Sequence, residues 1–516
     1  MSPRTAKQLP SGVEPSVEHE LDGELPEGWV SARIAQLAQT QSGGTPATSN
    51  KAYWEDGDVP WINSGALKDC VISEPSTCIT RLGLKESSAK LFPPSTVVIA
   101  LTGATTGRVG LLDFECSTNQ SVTGILPSPS FIPDYLFQYL RFARDSVLER
   151  MIGSAQPHIN KRIVDDIKVP IPPLAEQRRI VVKLEELLGK VSSSQQRLSR
   201  VPGLLKRFRQ SVLAAACSGR LTADWRESYA PLSSPEELND EIRKFAATKP
   251  KREIERAKKA RSEAWPFDLR DEIPTSWLQA SLIDVTSLIT CGVAKRPEYV
   301  EKGIPFLSAQ NAKPFRANLN DIKYISEKDF RTFTVGGKPE RGDVLYSRVG
   351  AKFGEAAKIP FDFDFAIYVS LTLIKPVRRL LDPDFLVAFL NSHYGMLQAH
   401  GGILGSGIQN LNVENVRKYI IPLPPLSEQQ EIVRRVEKLF GFADQIERRL
   451  SQAQGQVDRL TQSLLGQAFR GELVPTEATL ARRESRDYES ATELLHRIRS
   501  TATNATTTKA RRSGKR

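Results

Sequence analysis

Cysteine is scarce in this chain and its pattern is empty. Five cysteines, Cys70, Cys78, Cys116, Cys217 and Cys291, stand in 516 residues. The number is odd, no CxxC pair occurs and the spacings are irregular, which argues for reduced thiols in a cytoplasmic protein and against a disulfide framework or zinc site. The five histidines, His19, His158, His393, His400 and His496, include no HExxH pair and none lies beside cysteines at ligand spacing, so no metal site is expected. Long apolar runs are missing too. The longest charge-free stretch, LFPPSTVVIALTGATTG, is broken by Pro, Thr and Gly and makes a poor membrane span. The N-terminus lacks the apolar core of a signal peptide, and the chain reads as soluble. TGATTG follows a strand pattern, but no Gly-Lys-Ser/Thr comes after it, so it reads as a turn and not a phosphate loop. There is no Asp/Asn-Pro-Pro-Tyr/Phe tetrapeptide, which a methyltransferase acting on a flipped base would need, and no helicase set. These absences argue against catalytic residues on this chain.

What is present is a core, a positive charge and a repeat. Hydrophobic residues make up 40% of the chain, enough for globular cores. The net charge of +11 suits a polyanion, nucleic acid first. From Pro475 on, 10 Lys/Arg face 5 Asp/Glu. PIPPLAEQRRIVVKLEELL at Pro170 returns as PLPPLSEQQEIVRRVEKLF at Pro422, 252 residues later. LPEGW at Leu25 matches IPTSW at Ile273, and VPWINSGALK matches IPFLSAQNAK. Gly103 and Gly107 fall over Gly350 and Gly354, and EELNDEIR echoes weakly as TELLHRIR. Order is kept and the offset drifts only between 245 and 256 residues. One unit of roughly 250 residues has been duplicated.

Each unit begins with a portion of about 145 residues rich in strand and turn signals, such as STVVIAL, SVTGILP, DVLYSRV and AIYVSLTLIKP, with one short helix in IPDYLFQYLRFARDSVLERM and in DPDFLVAFLNSHYGMLQ. FDFDF at Phe361–Phe365 alternates like a strand or hairpin. An α+β globule follows. A Pro pair (Pro172–Pro173, Pro424–Pro425) then forces an extended entry into a helix. Ser427 can cap the second copy, while the first relies on Glu176 in its acidic first turn. Behind each entry runs a heptad seam. In the first copy it is Ile180, Leu184, Leu187, Val191, Ser194, Leu198, Val201, Leu205, Phe208 and Val212. In the second it is Ile432, Val436, Leu439, Ala443, Ile446, Leu450, Ala453, Val457, Leu460 and Leu464. Such unbroken heptads predict two helices paired as an antiparallel coiled coil, although a core helix of an ordinary bundle is the other reading. Pro202 should break or kink the first helix, or open a new one after Val201.

In their order and doubling, these features resemble the specificity (S) subunit of a type I DNA restriction-modification system. They are the PEGW and PTSW openings, the GGTPATSNKAYWEDGDVPWINSGAL stretch, TGATTGRVG, TNQSV, PLPPLSEQQEIV and LLKRFRQSVLAAACSGRLT. The resemblance spans nearly the whole chain, from Pro26 to Leu473. It implies two target-recognition domains, each reading one half of a bipartite, asymmetric double-stranded DNA site. It also implies helical regions that set the spacing and hold two methyltransferase subunits and, through them, motor-nuclease subunits. S-adenosylmethionine, ATP and Mg²⁺ would belong to those partners, with no cofactor on this chain. Location would be the cytoplasm of a bacterium or archaeon, at DNA. A helix of about 40 residues spans ~60 Å against about 34 Å for a DNA turn, so the physics permits a ruler. Rivals are a coiled-coil scaffold that reads no DNA, and a piece of a fused restriction-methylation enzyme.

The division expected is 1–24 disordered, 25–169 first recognition domain, 170–222 first helical region and 223–272 charged connector, read as an exposed, solvated basic helix. Then come 273–421 second recognition domain, 422–474 second helical region and 475–516 basic, largely disordered tail. Asn63, Ser64 and Lys68, with Ser308, Gln310, Asn311 and Lys313 in the second copy, can meet base edges or phosphates or build a turn. Gly103, Arg108, Arg348 and Lys352 sit in flexible glycine loops suited to close approach or to a bulge. Asn119 and Gln120 read as contacts or as structural amides at a strand start. Lys51 reads as a phosphate contact beside Tyr53 and Trp54, with Trp54 in the core. Gln156, Asn160, Lys161, Arg162, Gln409 and Asn412 read as backbone contacts or as caps of the following element.

Overall fold

The computed structural model describes residues 24–149, 159–229, 234–263, 268–269, 272–350, 353–401 and 411–501. The chain divides into two compact units, Met1–Leu198 with Gln452–Arg516, and Ser199–Ser451. The first unit is built from two separate stretches of sequence and the second from one. Each joins one recognition domain to the start of the helix that follows it and to the end of the other long helix.

Each recognition domain is closed by its own ends. Val30–Arg33 pairs antiparallel with Lys168–Ile171 in the first domain, and Leu278–Ser281 pairs with Ile420–Leu423 in the second. The prolines behind these closing strands then turn the chain into the long helices. Between the ends of the first domain lie two sheets. A five-stranded sheet has the order Thr40–Ser42, Val122–Ile125, Val97–Ala100, Val109–Leu112, Cys70–Ile72. A four-stranded sheet has the order Thr77–Ile79, Val59–Ile62, Cys116–Thr118, Leu91–Phe92. The second domain repeats the plan with a four-stranded sheet built on Thr286–Cys291, Leu371–Pro376, Val344–Ser347 and Ala356–Lys358, and a three-stranded one centred on Ile304–Leu307. Two helices, not one, follow the sheets in each domain: Pro133–Phe142 and Arg144–Glu149, then Pro383–Leu390 and His393–Gly401. Phe361–Phe365 is not a strand. Its phenylalanine rings stack on one another, 5.1 Å between Phe361 and Phe363, and its aspartates pair outward with Arg341 and Lys338.

The repeated sentence becomes two helices, Leu174–Cys217 and Leu426–Phe469, of 44 residues each. Both begin one residue after the Pro pair, so Ser427 lies inside the first turn and does not cap. Instead Gln177 and Gln429 turn back and donate from Nε2 to the carbonyls of Pro172 and Pro424, both at 2.9 Å. The helices run antiparallel within each unit. In the first, Gln195 donates to Asp458 and Ile180 and Leu184 share a core with Leu465, Ala468 and Phe469. In the second, Arg209 binds Asp444 at 2.6 Å and Glu447 at 2.7 Å, and Val212 shares a core with Ile432 and Val436.

The seam follows the heptads closely. Ile180, Leu184, Val191, Leu205, Ile432, Val436 and Leu450 are buried, and Leu187, Leu198, Leu439, Ile446, Val457 and Leu464 are half-buried. Ser194 is exposed, as its polarity suggests. Leu460 departs from expectation: it is 48% exposed, and Thr461 and Leu465 face inward instead. A straight helix gains on a seven-residue repeat by about 20° per heptad, and near its end the second helix follows the core of the first domain rather than the repeat.

Three expectations are corrected. The first helix does not break at Pro202; it runs through, with the ring on an exposed face. One backbone bond is lost there, while Val201 and Leu205 on either side of it stay turned inward. The connector is helical, as expected, but it holds two helices and is not wholly solvated. Pro235–Ala247 and Lys251–Ser262 are helices, and Leu238, Ala257 and Ala260 are buried in the second unit. Nor is the tail disordered as far as it is described. Glu477–Glu484 is helical, and Ala491 and Leu495 enter the core of the first unit. The weak echo between EELNDEIR and TELLHRIR is therefore structural. Ser234 caps Glu237 and Ser490 caps Glu493 with the same reciprocal bonds. Residues 1–23 and 502–516 lie outside the described residues.

Pro202→Ala restores a helix-interior bond at an exposed position, and the chain should resist urea better by about 1–3 kcal/mol. An unchanged midpoint would mean that the helix gains nothing from the missing bond.

Candidate nucleic-acid interface

Strand register brings distant loops to one rim of each recognition domain. In the first, Ile62 and Thr118 are parallel partners, Ile99 faces Val109, Ala100 faces Val122, and Cys70 faces Gly110. The ends of these strands therefore coincide, and the segments 43–45, 63–69, 101–108 and 119–121 line one edge. Ile159 joins it by donating to the Leu101 carbonyl at 2.9 Å. The second domain repeats this with 308–313, 348–350, 353–355 and 368–370. Leu411 donates to the Arg348 carbonyl at 2.8 Å. The glycines matched by the repeat, Gly103 and Gly107 against Gly350 and Gly354, all have positive φ, which is the conformation a side chain would resist. Gly103 has open space where a Cβ would stand.

Most first-domain candidates meet on this rim. Asn63, Lys68, Gly103, Arg108 and Gln120 are exposed, and Ser64 and Asn119 are half-buried. Asn63 spends its Oδ1 on the Gly65 amide at 2.8 Å, which leaves its Nδ2 outward-capable. Gln120 accepts from Thr45. Asn119 precedes the strand at Val122, and its Oδ1 is buried without a hydrogen-bond partner among the described residues. Lys161 borders the rim, paired with Asp165 at 2.8 Å, behind Asn160, which caps Ile163. Lys51 is not on the rim. It lies in the turn beside Thr80, at the other end of the four-stranded sheet, and faces Glu55 at 3.3 Å. Trp54 packs edge-on against Trp61 at 5.2 Å, as a core residue does.

Two candidates of the second domain are turned inward. Asn311 is buried and its amide is engaged: Oδ1 accepts from Ser308 N–H at 2.9 Å, and Nδ2 reaches the Asn318 and Asn320 carbonyls at 3.2 and 3.0 Å. It holds the turn together and is not a surface group. Arg348 is also buried, and its Nε donates to the Leu411 carbonyl at 2.8 Å. Asn412 caps the helix Val413–Arg417. Gln310 and Lys313 are exposed and Ser308 half-buried. Lys352, Gln156 and Gln409 lie outside the described residues.

One position marks how the two rims differ. Asp69 and Phe315 both have φ 62°, and both donate a backbone N–H to the facing strand, to Val109 and to Ala356. Asp69 takes an ion pair with Arg144 inside its own domain. Phe315 instead packs edge-on against Phe440 of the long helix at 5.1 Å.

The side chains that hold each domain to its helix escaped the sequence reading. Trp29 Nε1 donates to Glu176 Oε1, and Trp277 Nε1 to Glu428 Oε2, both at 2.9 Å. All four residues are buried. The second carboxylate oxygen takes a donor from the segment beyond the other end of the helices. Glu477 N–H reaches Glu176 at 2.8 Å, and Thr222 reaches Glu428 at 2.7 Å with Arg226 beside it. Burial pushes the Glu176 carboxyl above its ordinary value, against the bonds from Glu477 and Trp29. Gln177 and Gln429 complete the hub by accepting from Ile132 and Asp382 N–H at 2.7 Å. PEGW, PTSW and the two EQ pairs were visible as repeats, but nothing in the sequence paired them.

Two regions, 26–202 and 280–453, match the family model described as the type I restriction modification DNA specificity domain. The chain is similar to the type I restriction enzyme EcoKI specificity subunit of Escherichia coli (strain K12), with 27% identity over 466 residues, 87% of this chain and 90% of that one. The StySPI specificity subunit of Salmonella potsdam is 29% identical over 473 residues, again 87% and 90%. The EcoBI specificity subunit of Escherichia coli is 33% identical over 316 residues, 61% of this chain and 60% of that one. A chain from a solved structure concerning complex assembly and conformational transition of the type I R-M system has the same fold. The TM-score is 0.62 at 19% identity, covering 87% of this chain and all of that one.

Glu176→Gln and Glu428→Gln each replace one buried acceptor oxygen by an NH₂ that faces a buried donor. Each should cost about 2–4 kcal/mol in urea unfolding of the full chain. Asn311→Ala should likewise cost about 1–3 kcal/mol; loss of DNA affinity at full stability would return Asn311 to the surface.

Proposed function

The chain belongs to the type I restriction modification DNA specificity family, and from that membership we propose a non-catalytic subunit whose two rims read the two halves of one bipartite DNA target. The observation that carries this is the duplicated rim. Two domains with the same closing strands, left-handed glycines and buried Trp–Glu hub present loops at matching edges, with different side chains on them. Two halves built alike and lettered differently suit an asymmetric pair of half-sites. In the first domain Asn63, Ser64, Lys68, Arg108 and Gln120 are the contacts assigned. In the second they are Ser308, Gln310 and Lys313. Asn and Gln amides fit adenine edges, and Lys and Arg fit guanine or phosphate.

Each 44-residue helix is about 66 Å long at ~1.5 Å per residue. Such a length exceeds one DNA turn of about 34 Å, so helices of this length can set the gap between half-sites without touching bases. Their outward side chains include Val182, Leu204, Phe442 and Leu460, all large, apolar and exposed. These faces dock methyltransferase subunits, two of them, which in turn carry the motor-nuclease subunits. S-adenosylmethionine, ATP and Mg²⁺ act on those partners, in the cytoplasm of the cell. Among the described residues no group of three or more His, Cys, Asp or Glu could hold a metal ion, and no helix is long and apolar enough to cross a membrane.

Methylome sequencing of a host carrying this chain and its methyltransferase should show a bipartite, asymmetric motif methylated on both strands. A continuous palindrome would refute two different half-readers. Lys68→Ala with Arg108→Ala should weaken target binding about 30-fold or more, from two lost contacts of about 1–3 kcal/mol each. Phe442→Ser should reduce co-purification of the methyltransferase while leaving the chain folded.

A further inference from the structure

The duplicated scaffold allows the two domains to be compared position by position, and one comparison has opposite sign. Residues 43–79 of the first domain carry two Lys against five Asp/Glu, a net −3. The matching residues 292–325 carry six Lys/Arg against three Asp/Glu, a net +3. The cations of the first segment, and Arg81 just beyond it, are largely balanced: Lys51 faces Glu55, and Arg81 reaches back to Asp58. Tyr53 also donates to Glu86 at 3.1 Å.

The matching place in the second domain is built differently. Tyr299 stands where the first domain has Tyr53, Arg296 where it has Asn50, and Lys323 where it has Thr77. Lys323 Nζ lies 4.3 Å from the Tyr299 ring centroid and the Arg296 guanidinium 6.0 Å. The ring rests on Phe306 at 6.3 Å. Arg296, Tyr299 and Lys323 are all exposed. Glu298 and Glu301 share the loop, yet neither they nor any other carboxylate of the described residues forms an ion pair with Arg296 or Lys323. An aromatic face can hold a cation in place without cancelling its charge, whereas a carboxylate does both. Lys323 pairs with Phe306 one residue before Leu307 and the turn at Ser308, so the Lys323 end of the cluster adjoins the rim. The loop is tied to the outer strand by Val300 N–H to the Tyr324 carbonyl at 3.0 Å.

We propose that Arg296 and Lys323, held by Tyr299, grip the DNA phosphodiester backbone beside the half-site of the second domain, and that the first domain has no counterpart of this grip. This rests on the reading that the rims meet DNA and adds which half supplies the electrostatic hold. Two uncancelled cations suit phosphate oxygens, which carry no sequence information.

The test is the salt dependence of binding. The full chain, with the partner subunits that co-purify with it, is titrated by fluorescence anisotropy against a labelled target duplex and an unrelated duplex. Arg296→Gln with Lys323→Gln should lower the slope of log K against log salt by about 1.8, ~0.9 per phosphate released. The gap between wild type and variant should shrink about tenfold between ~50 and ~200 mM salt, and the ratio of target to unrelated affinity should stay the same. Arg296→Lys with Lys323→Arg, which keeps both charges, should keep the slope, and so should Tyr299→Phe. An unchanged slope in the Gln pair overturns the proposal, as does a lost preference for one base pair, which would make the cluster a base reader. A wild-type complex that does not prefer its target, but whose slope still falls in the Gln pair, supports the grip and refutes the half-site reading instead.

Discussion

A buried carboxylate has to be met by donors, and in this protein that requirement holds each half together. Glu176 and Glu428 lie in the first turns of the long helices, out of water, where an unpaired charge would cost several kcal/mol. Each takes an indole N–H from the opening of its recognition domain and a second donor from the segment that follows the opposite helix. Three stretches of chain far apart in sequence are thus fixed at one point. The adjacent Gln177 and Gln429 tie in a fourth, the helix entry after the sheets. The direction in which a domain leaves its helix, and so where its rim faces, follows from this hub.

The hub is common to both units, whereas the packing around it is not. Phe469 at the end of the second helix sits among Tyr135, Tyr139 and Phe142, with centroids 5.1 to 5.4 Å away. At the same place in the second unit the helix ends in Cys217, within hydrogen-bond reach of Ser392, the counterpart of Phe142, and burial pushes its thiol up to about 12. Phe469 meets Phe142 in one unit where Cys217 meets Ser392 in the other, large against large and small against small, so each helix end fits its own domain. The same divergence runs out to the rim, where Asp69 closes on Arg144 and Phe315 leans on Phe440. A duplicated scaffold can keep its hydrogen-bonded joints and still differentiate its surfaces, because the joints are buried and the rims are free to vary.

Much of the architecture was legible in the chain. Periodicity determined the long helices and their seam, because heptads act through a local geometry that needs no knowledge of partners. The duplication determined that whatever the first half does, the second does with other side chains. The Pro pairs determined the entry to each helix. What failed did so for tertiary reasons. Pro202 was outweighed by packing on either side of it, Leu460 by the core of the first domain, and the tail's composition by the apolar Ala491 and Leu495, whose burial only the folded first unit provides. Of the polar candidates, Asn311 and Arg348 offered the same side-chain types as Asn63 and Arg108, though not at matching positions of the repeat. Only the fold turned the first pair inward to satisfy backbone carbonyls and left the second pair facing solvent. By itself, then, the sequence determined the repeat, the helices and the class of residues available for contact. The tertiary structure decided which of those residues face outward and which segment completes each half, because hydrogen-bond satisfaction at a buried group depends on what the fold brings beside it and not on what precedes it in the chain.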